Sequence, residues 1–424
     1  MGGSRALFVG LAASALLAAA PARARDWIVG DTSISFGGYA GIGAFSLPDA
    51  NFGAGSYDVR KVRDFAEGRR NDVGRAVRSP FWVEAFAKPS LRLSHPVGAG
   101  GTLFGEVSAV LTQTLGDGDG SIVSFTRGNP GMVAVEQAYI GYRIAPPFGL
   151  KGDSVAIQLG RQDFILDDGF LIHLGRYNLG RAANFYLSPR QAFDGWGTIR
   201  FNTAPIRGDI FVLSTPVDNK AAYGDRHFAL DQPNTDFAGF DLEWFNGVRR
   251  EGANPSVNYL DRARYLNFTY FHIFDTDRNR LLYGDDSELF WARRKGLHVL
   301  SLSGGGNLLP IKALALDRNA SFYFQYVREL NGARGRKVDA TGFYVEPGYE
   351  FSVSPWRPAL SYRYAYFSGN RTRPGQPLRI KRSYDPLFYG GGFRDYLGNW
   401  GLARSSAPIC NSAATWSSTR SSCG

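Results

Sequence analysis

Phe81-Trp82-Val83-Glu84-Ala85-Phe86-Ala87-Lys88-Pro89-Ser90-Leu91-Arg92-Leu93-Ser94 alternates with a period of two. Phe81, Val83, Ala85, Ala87, Leu91 and Leu93 share one parity, and Glu84, Lys88, Ser90, Arg92 and Ser94 share the other. Successive side chains of a strand point to opposite faces, so this stretch predicts a strand with one apolar and one polar face. At about 14 residues it exceeds the usual globular strand and suits a tilted strand that crosses a bilayer.

The pattern recurs along the chain. A Gly-rich strand is expected from Thr32 to Gly43, and others near 102–113, 133–144, 154–163, 194–202, 208–214, 236–245, 264–274, 296–304, 319–328, 341–351 and 357–368. In these, Ala138, Ile140, Tyr142 and Ile144 oppose Gln137, Tyr139 and Arg143, while Ala238, Phe240, Leu242 and Trp244 oppose Gly239, Asp241 and Glu243. Tyr362, Tyr364 and Tyr366 oppose Ser361, Arg363 and Ala365. About 13 strands are readable. Pro96 and the glycines from Gly98 to Gly101 mark a tight hairpin turn. The stretch 48–79, with Arg60, Lys61, Arg63, Arg69, Arg70, Arg75 and Arg78, is expected as a long extracellular loop, and 164–190, which has no period, as an inserted loop. The expected fold class is all-β, a transmembrane antiparallel β-barrel. A soluble exported sandwich or β-helix is the competing class, and it does not need strands this long and aromatic.

Arg5, the apolar run Ala6 to Ala20 and the small-x-small site Ala22-Arg23-Ala24 form a secretory signal pattern. Residues 1–24 are therefore expected to be removed, so that the mature chain begins at Arg25. The apolar run is too short for a membrane anchor. No Cys stands directly after the cleavage site, which argues against a lipid-anchored form.

Composition agrees with export and a barrel. Aromatics make up 14% of the chain, with 21 Tyr and 31 Phe, as the interfacial girdles of a membrane barrel require. The only cysteines, Cys410 and Cys423, lie in the last stretch, which excludes a disulfide-stapled body. The net charge of +10 becomes +8 once Arg5 and Arg23 leave with the signal. An exported strand protein seldom meets nucleic acid, so the expected partners are outer-membrane lipid and an anionic solute in a pore.

The motifs of the middle and end of the chain are more distinctive. Gly160-Arg161-Gln162-Asp163-Phe164 is followed by Asp168-Gly169-Phe170, Ser188-Pro189-Arg190 and Phe193-Asp194-Gly195-Trp196, and later by Ser383-Tyr384-Asp385-Pro386-Leu387-Phe388-Tyr389-Gly390. In order and spacing these resemble the alginate-export family of outer-membrane porins, over residues 30 to 396. The resemblance implies a barrel of about 18 strands with an arginine-lined lumen, through which an anionic uronate polymer passes outward. It also implies loops that restrict access on both sides, and periplasmic export machinery as a further partner.

The candidate pore-lining residues are Lys88, Arg92, Arg143, Arg161, Arg200 and Arg363, read as inward-parity basics, with Arg190 from the adjoining loop. By the resemblance Arg161 leads this set, and Asp194 orients a neighbouring arginine. The bland alternative is that each only stiffens the wall in an ion pair with Glu84, Glu106, Glu136, Asp241 or Glu243. If those acids neutralise every arginine, anion selectivity disappears.

Other signals are weak. Asp275-x-Asp277-x-Asn279 begins like a calcium loop, but Arg280 stands where the sharp turn needs Gly. Asp117-Gly118-Asp119-Gly120 reads as a turn. His95, His173, His227, His272 and His298 show no metal spacing, and no cofactor is implied. An outer-membrane hydrolase would need a Ser beside an outward His, for which only His272, next to Phe268 and Tyr270, qualifies.

Alternation stops after about Tyr396. Residues 397–424 are expected as an atypical tail, either the product of truncation or a frame shift, or a periplasmic tail clipped by a Cys410–Cys423 disulfide. The expected function is passive export of an anionic, alginate-like polysaccharide. A general porin or small organic-anion channel is the alternative, and a soluble carbohydrate-binding β protein comes third.

Overall fold

The computed structural model describes residues 16–66, 68–98, 100–146, 154–167, 169–173, 183–187, 189–203, 205–215, 235–246, 264–276, 294–307, 320–333, 337–350, 358–369, 380–388 and 400–404. Along the chain run β1 (Leu16–Val29), β2 (Thr32–Ser46), β3 (Tyr57–Asp58), α1 (Val59–Ala66), β4 (Phe81–Val97), β5 (Gly101–Gly116), β6 (Val123–Ser124) and β7 (Gly131–Ile144). There follow β8 (Ser154–Arg161), β9 (Asp194–Asn202), β10 (Ile206–Thr215), β11 (Thr235–Asn246), β12 (Arg264–Thr276) and β13 (His298–Asn307). The chain continues through β14 (Ala320–Asn331), β15 (Val338–Glu350), β16 (Pro358–Tyr362), β17 (Tyr364–Phe367) and β18 (Trp400–Arg404). Sixteen of the strands form one antiparallel sheet in which neighbours in sequence are neighbours in space, and β3 and β6 pair separately.

Every expected strand is present, with 357–368 divided into β16 and β17. The structure adds three features that periodicity did not show. β1 runs across the Ala24–Arg25 junction and pairs with β2, with a register break between Ala22 and Arg25. β18 lies within the stretch expected to be an atypical tail and pairs with β16. The loop after β2 holds α1 and β3, and β3 pairs in parallel with β6. Cys410, Cys423, His227, Asp168, Ser188, Tyr389, Gly390 and the Asp277 to Arg280 segment lie outside the described residues.

The polarity of the sheet is inverted relative to a soluble protein. Leu91, Val107, Ile140, Leu242 and Trp244 are exposed, whereas Glu84, Lys88, Glu136, Asp241, Glu243, Asn267, Gln325 and Glu329 are buried on the other face. That is the polarity of a membrane β-barrel wall, apolar on the outer face and lined inside by polar groups. The β4–β5 turn uses Gly98 and Gly100 at φ +61° and +90°, a region closed to most side chains. This turn and the one between β9 and β10 are short, so they mark one end of the barrel. The loops after β2, β5 and β8 are long and mark the other.

The inserted loop after β8 enters the barrel. Asn184 donates to the Ala85 carbonyl on β4, while Asp167 accepts from Asn267 on β12 at 3.0 Å. One segment thus touches walls far apart in the strand order, which requires the sheet to curl around it. Phe164, Phe170, Leu171 and Ile172 pack inside with Phe211, Phe237, Phe271 and Val299 of the wall. A second inserted segment, 380–388, adds Tyr384, Leu387 and Phe388. Phe388 stacks on Phe237 at 4.4 Å, and His173 donates its amide to the Phe388 carbonyl at 2.9 Å. Phe164, Phe170, Phe193, Tyr384, Leu387 and Phe388, drawn from stretches far apart in sequence, therefore meet in one apolar plug beside β10–β15.

Candidate functional site: the lumen

The site begins with an irregularity in β7. Ser108 pairs with Gln137 and Ala109 with Val135, so Glu136 is an extra residue in the strand. A bulge of this kind re-aims side chains. Here it lets both Glu136 and Gln137 be buried on the inner side, while the outward series passes from Val133 and Val135 to Ala138, Ile140 and Tyr142. Across the lumen-facing wall, Pro89 has no amide hydrogen for the ladder, and the β4–β5 register is interrupted at Lys88 and Pro89.

Glu136 is the hub of the cluster. Its carboxylate lies 3.6 Å from Lys88 Nζ and 4.0 Å from Arg190 Nε, and it accepts the amides of Gln191 at 2.6 Å and Ala192 at 3.0 Å. Lys88 also reaches Asp163 at 3.5 Å, to which Gln137 donates. Burial pushes the Asp163 carboxyl above its ordinary range, and Lys88 draws it back in part. Arg190 further donates to Met132 Sδ at 3.0 Å.

Arg161 is placed differently from the inward-parity expectation. It pairs with Ala138, which is exposed on the outer face, and Gly160 takes the inward position beside Tyr139. The reason is the alternation of β8 itself, which puts Arg161 on the parity of the exposed Ile157 and Leu159; β8 ends at Arg161 and leaves a notch beside the upper part of β7. Arg161 spans this notch: Nε donates to the Glu136 carbonyl at 2.7 Å, and Nη1 lies 3.1 Å from Asp194. The Asp194 carboxylate thus faces Arg161 within the wall.

The remaining candidates face the lumen. Arg200 pairs with Asp209 at 2.6 Å, and Arg363 pairs with Glu346 at 2.7 Å while its guanidinium lies 4.0 Å over the Tyr344 ring. Arg92 pairs with Glu106 at 3.0 Å, yet 65% of its side chain is exposed. Arg143 is exposed, lies 5.3 Å over the Phe104 ring and has no ion-pair partner among the described residues. Thus Lys88, Arg161 and Arg190 meet in one network, whereas Arg92 and Arg143 lie nearer the short-turn end and Arg200 and Arg363 lie on other strands. Of the expected acid partners, Glu106 and Glu136 pair with candidates. Glu243 pairs with Arg207 at 2.8 Å, and Arg207 is a lumen cation the sequence reading omitted although its parity was available. Glu84 instead accepts the amides of Tyr186 and Leu187, and Asp241 accepts from Asn267 and Thr269.

A second buried network was not legible in the sequence. Arg294 grips Asp385 of the inserted segment through bonds of 2.7 and 2.6 Å, and the Asp385 amide donates to Glu329 at 3.0 Å. Burial alone would raise the Asp385 carboxyl, but Arg294 and Lys381 outweigh it and hold the group below its ordinary range. On the outer face, His272 stacks on His298 at 4.4 Å, and neither is hydrogen-bonded to a serine among the described residues. No group of three or more His, Cys, Asp or Glu among the described residues is placed to hold a metal ion.

No protein-family model and no curated protein matches the chain. Solved structures that resemble it are outer-membrane barrels of low similarity. The FrpB iron transporter from Neisseria meningitidis (F5-1 variant) matches with a TM-score of 0.34 and 10% identity, over 80% of this chain and 49% of that one. The chain therefore spans about half the length of that transporter. OmpF of Salmonella typhi in complex with daunomycin matches at 0.30 and 10% identity, over 82% of this chain and 94% of that one. The copper transporter OprC matches at 0.31 and 9% identity, over 89% and 54% respectively. The chain itself is an antiparallel barrel wall around a charged, partly plugged lumen.

Proposed function

We propose that the protein is an outer-membrane channel for passive export of an anionic, alginate-like polysaccharide, reached from the periplasm after removal of residues 1–24. The observation that carries this reading is the exposure of Arg92 and Arg143 inside the lumen toward the short-turn end, which is the periplasmic end of such barrels. A guanidinium fork pairs with a sugar carboxylate bidentately, and several moderate sites let a chain enter and leave where one tight site would hold it. The motif resemblance to the alginate-export family supports the same substrate class. Outer-membrane lipid covers the apolar face, and periplasmic export machinery would meet the short-turn end. The chemistry needs no cofactor.

A second reading, a general porin or small organic-anion channel, is favoured by one observation. Every candidate cation except Arg143 lies within 4.0 Å of a carboxylate. Planar-bilayer conductance separates the two. Anion-selective current blocked by alginate oligomers, with block relieved in Arg92→Glu/Arg143→Glu, supports the exporter. Unselective current with no block supports the general porin.

A further inference from the structure

The polar face of β2–β7 carries aromatic rings that a water-filled lumen does not require. Tyr39 pairs with Lys88, faces inward and is 44% exposed. Phe86, Phe104 and Tyr139 are inward and partly exposed. The register sets them on a descending track: Phe86 beside Gly41, Tyr39 one row below, then a row of Ser90 and Ser108, then Tyr139 beside Glu106, then Phe104 beside Gly141. Rows on one face of a strand are about 7 Å apart, so the track extends roughly 27 Å along the wall.

Two of the rings rest on glycine. A Cβ at Gly41 would stand 2.6 Å from the Phe86 ring, and one at Gly141 would collide with the Phe104 ring. Covering a glycine is a structural role for one face of each ring. It does not account for Tyr39, nor for the cations beside the track. Lys88 Nζ lies 5.7 Å from the Tyr39 centroid and Arg143 lies 5.3 Å from that of Phe104, while Tyr139 Oη and Arg92 share the Glu106 carboxylate. Ser33, Ser35 and Gly37, also inward, keep the neighbouring wall low.

We infer that Tyr39, Phe86, Phe104 and Tyr139 form a rail for the ring faces of the transported polysaccharide, with Arg92 and Arg143 taking its carboxylates. This rests on the proposed export of an anionic sugar polymer. A pyranose presents an apolar face of C–H groups and a polar edge. An aromatic face binds the former by dispersion and the guanidinium binds the latter, so flat rings and cations along one wall match an acidic polysaccharide better than a plain anion. Spaced weak platforms also allow sliding.

The test is single-channel block of the mature protein by alginate hexasaccharide and by polyglutamate, an anionic chain without sugar rings. Phe104→Leu and Phe86→Leu keep an apolar cover over glycine and remove the π face; Tyr39→Leu leaves both of those covers in place. Block by the hexasaccharide is expected to weaken about three- to tenfold in each, with polyglutamate block unchanged. Unchanged hexasaccharide block in all three variants overturns the rail and leaves the exporter standing. Equal loss for both probes also overturns it, since the rings would then act only through lumen shape. Absence of hexasaccharide block in the wild type, with current present, overturns the exporter itself.

Discussion

Glu136 carries more of the lumen than any arginine does. It is fully buried, compensates Lys88 and Arg190 and holds two amides of the loop that leads into β9. Glu136→Gln removes the charge and leaves two cations under-compensated inside the wall, so stability should fall by about 1–3 kcal/mol. The lumen should then become more anion-selective, read as a shift in reversal potential under a salt gradient. Arg161 has the opposite status. Because it spans the notch on the outward parity, Arg161→Glu should lower folding yield through repulsion with Asp194 and leave alginate-oligomer block of the folded fraction within about twofold, an outcome that Arg92→Glu should not share.

At the scale of elements, the inserted segment 380–388 is held by apolar packing through Phe388, by the Arg294–Asp385 pair, and by hydrogen bonds that include those to His173 and Glu329. The Asp385 carboxyl lies below its ordinary value when folded, so its contribution is complete above the unfolded value of about 3.9 and is lost as pH falls through the folded value. The plug contact should therefore hold from neutral pH to about pH 4 and loosen only below that. Limited proteolysis across pH 2–7 reads this, and Asp385→Asn should abolish the acid step while lowering resistance at neutral pH. Phe388→Ala should cost about 3–5 kcal/mol by opening a cavity in the plug and should raise single-channel conductance. Strand existence was legible here because alternation survives in each strand. The bulge at Glu136 leaves only a trace in the sequence, two successive polar residues across which the apolar parity shifts from Val133 and Val135 to Ala138 and Ile140, and the partner strand alone shows two residues facing one.

For the whole molecule, the inverted polarity makes the outer face intolerant of charge at mid-wall. Ile140→Arg should reduce folding into lipid vesicles by about 2–4 kcal/mol, measured by denaturant titration, and an inward Ser108→Arg should cost less. Period-two alternation and aromatic content by themselves determined that this chain is an antiparallel wall, apolar outside and polar inside. They suffice because the side-chain period of a strand is local and the bilayer sets both its length and its outer chemistry. Which cations are exposed in the lumen, which are consumed in ion pairs, and where the unpatterned inserted segments pack were decided only by the tertiary structure. Arg161 meets Asp194 and the Glu136 carbonyl within the wall, and Arg294 meets Asp385 across 91 positions of sequence. Neither fact is local, since each depends on how the wall curls around the segments it encloses.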